Sequence, residues 1–143
     1  MEIEKSYKVF GKLNKLREIL VDLKYYGKLH PLIKSINKIE DESKEHVEYE
    51  IKERPYKWIP ITIKYYAEVR LRQDLIEYRI KGIPVTKVTI KYTLTEVDKQ
   101  AIRIRFRLKI ENNFVGKKIL ENKMINAQDL LMTAIKKELS MQF

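Results

Sequence analysis

Along most of this chain apolar and polar residues alternate, and in two places the spacing changes to threes and fours. In residues 2–10, Ile3, Tyr7 and Val9 share one parity and Glu4, Ser6 and Lys8 the other, which predicts a half-buried strand ended by Gly11. From 12 to 29, Leu13, Leu16, Ile19, Leu20 and Leu23 recur at helical spacing. This predicts an amphipathic helix, broken into two short ones near Asp22, which is suited to cap the second. Gly27 is expected to stop that helix, and Pro31 to force His30 into extended geometry. Strand spacing then returns. Ile33, Ile36 and Ile39 do not share one parity, so a bulge is expected there. Five clean alternations follow, centred on Tyr49, Tyr65, Tyr78, Tyr92 and Phe106, with short polar connections DESKE, RQD and DKQ. The last segment, from about 114 to 141, carries Leu120, Met124, Ala127, Leu131, Ile135 and Leu139 in a helical stripe that also includes Ile119 and Ala134.

This order predicts one α+β domain over residues 1–143: a strand, a helix pair, six more strands as an antiparallel meander, and a long closing helix. A sheet of about seven strands with one apolar face needs a cover, and only the last helix is large enough. A strongly curved sheet gripping that helix leaves space between the two.

Composition narrows the chemistry. The chain has 143 residues, 44% of them hydrophobic, and no cysteine, which excludes a disulfide framework, a thiol nucleophile and thiolate metal sites. Two histidines cannot supply a three-histidine centre. A mixed His and carboxylate site would need partners from separate elements, with no H-x-x-x-H or E-x-x-H spacing present; no metal or cofactor is expected. No secretory leader or membrane-spanning run is apparent, and a cytoplasmic location is expected. The net charge of +10 favours anionic surroundings. The basic stripe Arg103, Arg105, Arg107 and Lys109 has the parity opposite to Phe106. It lacks the interleaved exposed aromatics of an RNA-binding sheet, so cross-strand pairing with glutamates is expected and nucleic acid is not.

The element order, the junction HPLIKSINKIED and the closing helix together resemble the START-like, helix-grip superfamily, also called SRPBCC. That superfamily includes polyketide cyclases and lipid-transfer domains. His30 and Pro31 fit its junction pattern, which makes His30 an architectural residue. The glycine-rich loop of the pollen-allergen branch is absent; EDESKEH stands in its place. The resemblance implies a cavity between sheet and closing helix that binds a small hydrophobic molecule such as a lipid, polyketide or isoprenoid, for sequestration or delivery.

Tyr49, Tyr65, Tyr78 and Tyr92, with Phe106, Met124 and Leu131, are the expected cavity residues. A buried phenol needs a partner, which a ligand oxygen can provide. Tyr56, Trp58, Ile83 and Phe114 fall in loops at one end of the meander, among lysines. They are the expected mouth, placed for transient contact with an anionic membrane, unless Trp58 and Phe114 fold back as a plug. Two alternatives stand beside this one. The first is a cyclase or hydratase using the same cavity, which an inward carboxylate or histidine beside a tyrosine would favour. The second is a non-catalytic interaction module, which the lack of any cavity above roughly 300 Å³ would favour. No catalytic residue is assigned, and the sequence does not set the oligomeric state.

Overall fold

A computed structural model describes residues 2–30, 33–39, 46–54, 62–83 and 86–141. The chain runs β1 (Glu2–Phe10), α1 (Leu13–Val21), α2 (Leu23–Leu29), β2 (Ile33–Ile39), β3 (His46–Glu53), β4 (Ile63–Arg72), β5 (Leu75–Lys81), β6 (Val88–Asp98), β7 (Ala101–Ile110) and α3 (Lys117–Ser140). The strands form one curved, seven-stranded antiparallel sheet in the order β1-β7-β6-β5-β4-β3-β2. β1 and β2 are therefore opposite edges. The helix pair between them must carry the chain across one face of the sheet. That face, which α3 also covers, holds the core.

Alternation dictates which side chains reach it. Ile102, Ile104, Phe106 and Leu108 of β7 are all buried, while Arg103, Arg105 and Lys109 are exposed and Arg107 is half-buried on the outer face. There Arg105 pairs across the strands with Glu4 at 3.2 Å. The mixed parity of β2 is resolved by a register shift between Ile33 and Ser35.

Asp22 separates the two short helices. Its backbone is extended, and its side chain accepts from the Lys24 N–H at 3.0 Å, so one residue ends α1 and caps α2. Gly27 does not stop α2, which continues to Leu29. Its small size serves packing instead: a Cβ there would lie 2.5 Å from Ile36 Cδ1, so the glycine lets α2 press against β2. The helix ends at His30, which is extended as a residue before proline must be, and whose N–H still donates to the Tyr26 carbonyl. Gly27→Leu is expected to cost about 1–3 kcal/mol by overpacking. Urea unfolding checks it, and a cost near zero would mean that β2 yields freely.

α3 buries Ala127, Gln128, Leu131, Met132, Ile135 and Leu139. Ile119, placed in the apolar stripe by spacing, is 67% exposed, while its neighbour Leu120 is the one that packs against the core. Two side-chain latches hold the helix. Lys5 and Tyr7 of β1 both donate to Asp129, each at 2.7 Å, and the Tyr25 hydroxyl of α2 donates to Glu138. Among the described residues no helix is long and apolar enough to cross a membrane.

Candidate functional site

A cavity of about 180 Å³ lies between the sheet, α2 and the first half of α3. Its deep wall is aromatic and fully buried, formed by Tyr26, Tyr78 and Phe106 with Ala127 and Gln128 of α3. Its other end is wetter, with Glu53, Ile63, Ile83 and Lys123 half-buried or exposed. Pairing places this wetter end where β3 meets β4 and β5 meets β6, away from the tight hairpins at Gln73 and Gln100.

The expected cavity residues divide. Tyr65, Tyr78, Phe106 and Met124 line it. Tyr49, Tyr92 and Leu131 are buried but do not line it. Tyr49 is on β3 next to the edge strand, against the backbone of Leu23. Tyr92 lies behind Tyr78 and Phe106, and Leu131 lies one turn past Gln128, where α3 closes on the sheet. Of the expected mouth residues, Ile83 lines the cavity, and Phe114 is half-buried against the core. Tyr56 and Trp58 lie outside the described residues, as does Pro31.

The phenols use most of their hydrogen-bonding capacity within the protein. Tyr78 donates to the Leu20 carbonyl, which ties β5 to α1. Tyr92 donates to Gln128 Oε1 at 2.8 Å, and its oxygen lies 3.4 Å from the Tyr26 hydroxyl. The rings of Tyr26, Tyr78, Tyr92 and Phe106 follow one another at 5.4–5.6 Å in edge-on or tilted contact. His30 adjoins this row at 5.7 Å from Tyr26.

Four polar groups at the cavity, besides Lys123, were not assigned to it from the sequence. Glu53 shares the parity of Tyr49 and Ile51, and that signal was available. It accepts a 2.6 Å hydrogen bond from Tyr65, and burial raises its carboxyl pKa, partly offset by this bond and by the charge of Lys123. His30 lines the cavity as well as ending α2. Burial lowers its pKa to about 4, so its imidazole is neutral at pH 7. Tyr26 stands three residues after Leu23 on the buried face of α2, and burial raises its pKa to about 12. Gln128, the fourth addition, is only 4% exposed, and its Nε2 has no partner among the described residues. Leaving such a donor unsatisfied costs about 1–3 kcal/mol.

The site therefore pairs an apolar chamber with a few fixed polar groups. It can desolvate a small molecule, orient it through one donor and expose it to a carboxylate–phenol pair near the wetter end.

No family model matches the chain, and no curated protein matches its sequence. Solved structures do match its fold. The aromatase/cyclase ZhuI from Streptomyces sp. R1128 superposes with a TM-score of 0.78 at 12% identity, over 98% of this chain and 93% of that one. A START superfamily protein from Mycobacterium smegmatis gives 0.78 at 13% identity over 99% of both chains. A STAR-related lipid transfer protein from Xanthomonas axonopodis gives 0.70 at 10% identity, over 97% of this chain and 85% of that one. With its seven-stranded sheet closed by α3 and its helix pair between the first two strands, this chain has the START-like helix-grip fold.

Proposed function

We propose that the chain binds a small, mostly apolar molecule in the cavity between the sheet and α3, for sequestration or delivery. The observation that carries this reading is the chamber itself. It is walled by buried aromatic rings and holds a buried amide nitrogen that has no partner among the described residues. Such a group is uncommon in a packed core, where nearly all buried polar groups find partners. Proteins of the same fold with as little sequence in common include an aromatase/cyclase and a lipid transfer protein, which supports a ligand-holding role in general. The volume of about 180 Å³ narrows the occupant. It falls below the roughly 300 Å³ that would count against a packed interaction module, which weighs toward that alternative. It lies near the roughly 150 Å³ of a cavity that takes benzene, however, so the chamber still has room for a ligand. A single ring or a short branched chain fits, whereas a full-length lipid or a multi-ring polyketide exceeds this volume.

Delivery would use the wetter end. Val115 and Ile119 are exposed there, beside Lys118. Apolar tips on a cationic rim suit brief contact with an anionic surface.

Native mass spectrometry of the purified protein tests the binding reading. A co-purified apolar compound is expected, and Ala127→Phe, which fills the chamber from α3, should remove it. A bare polypeptide mass, with no thermal stabilisation by single-ring compounds, would sink it.

A second reading, a cyclase- or hydratase-type enzyme, is favoured by the Glu53–Tyr65 pair at the cavity wall, and His30 beside Tyr26 meets the same criterion. A carboxylate with a raised pKa, held by a phenol, is suited to moving a proton. Under this reading Glu53→Gln should abolish turnover and leave affinity within about threefold, since the amide keeps the size and one acceptor.

A further inference from the structure

Among the described residues of the chamber, Gln128 has a buried polar atom whose hydrogen bonding is left incomplete. Tyr92 donates to Gln128 Oε1 at 2.8 Å, which leaves the amide nitrogen as the free end of that side chain. That nitrogen is buried and has no partner among the described residues, and Gln128 lines the cavity. We infer that Gln128 is the ligand-reading residue, and that its amide N–H donates to the oxygen of a neutral carbonyl on a single-ring compound. This inference rests on the binding reading above.

The chemistry follows from what surrounds the amide. An unpaired N–H calls for an acceptor. A carboxylate would be the wrong acceptor, because a buried anion needs a counter-charge and the deep wall carries none. The charged lining residues, Glu53 and Lys123, lie toward the wetter end and act on each other. His30 is held neutral. A ketone, aldehyde or ester oxygen takes the N–H without bringing charge into the chamber. The edges and faces of Tyr26, Tyr78 and Phe106 then favour an aromatic body over an aliphatic one.

Three planar probes of equal heavy-atom count separate the terms: acetophenone, α-methylstyrene and benzoate. Isothermal titration of the full chain is expected to show acetophenone binding about tenfold or more tightly than α-methylstyrene, and benzoate weakest. The carbonyl stretch of bound acetophenone should move to lower frequency. Gln128→Leu should lose the preference for acetophenone, return the stretch toward its apolar-solvent position and bind α-methylstyrene at least as well. Tyr92→Phe, which frees the amide from its hydrogen bond to Tyr92, should weaken the preference without removing the chamber. If Gln128→Leu fails to fold, the wild-type ranking and the infrared shift decide alone. Equal binding of acetophenone and α-methylstyrene, or tighter binding of benzoate, overturns the role of Gln128 and leaves the chamber as a binding site. Binding of none of the three probes overturns the chamber reading itself, and this inference with it.

Discussion

Phe106→Ala is expected to destabilise the fold by about 3–5 kcal/mol, the largest loss of any single truncation at the cavity. Phe106 is 1% exposed at the middle of β7, hydrogen-bonded through its strand to both β1 and β6, and its ring lies 5.6 Å from that of Tyr92. The lost burial is one part of the cost. The other is the void, because strands paired on both sides cannot close over it and Tyr92 is held by Gln128. The void would also join the chamber that Phe106 already lines. Urea unfolding should show a lower midpoint with an unchanged slope. The variant, studied below its unfolding midpoint, should admit a two-ring compound such as naphthalene that the wild type excludes. A loss under about 1 kcal/mol would mean that the sheet relaxes inward and that the chamber is not rigidly walled.

Acid should destabilise the protein through His30. In the unfolded chain its imidazole takes up a proton near pH 6.5, whereas in the folded state burial delays this to about pH 4. The folded pKa is the lower one, so the unfolded state binds more protons between these values. The contribution of neutral His30 is complete above about pH 6.5 and is lost as pH falls toward 4, below which it no longer changes. A displacement of this size corresponds to about 3 kcal/mol across the window. Glu53 acts in the opposite sense. Its folded pKa is raised, so its burial favours folding at low pH and costs stability as pH rises through that pKa. The test is therefore a comparison: unfolding of wild type and His30→Gln at several pH values from 7 to 4. The wild type should lose more stability on acidification than the variant does. Parallel pH profiles would show that His30 titrates as if exposed.

How far the fold and site could be read in advance depends on the element. The single parity of Ile102, Ile104, Phe106 and Leu108 is enough to give β7 one buried face, since side-chain direction in a strand is local. The same argument covers Tyr65 and Tyr78, and it extends to Glu53, whose direction follows from Tyr49 and Ile51. The order of elements, with one long apolar-striped helix at the end, likewise leads to a sheet gripping α3. Residues whose roles depend on a second element were not legible in this way. Gly27 resembles a helix stop until Ile36 is placed against it. Tyr92 and Leu131 have the right faces for a cavity, yet neither lines it, and Tyr92 packs instead on Tyr78 and Phe106, which do. Gln128 is a polar residue within an apolar stripe, and nothing local distinguishes a buried amide from a solvated one. Its meaning came from Tyr92, 36 residues away, which takes one end of the amide and leaves the other without a partner among the described residues. By itself the sequence determined which way each strand's side chains point, because that is set by backbone geometry one residue at a time. Only the tertiary structure decided which of those side chains meet, how much space they leave and which polar group is left without a partner, because packing is a property of pairs far apart in the chain.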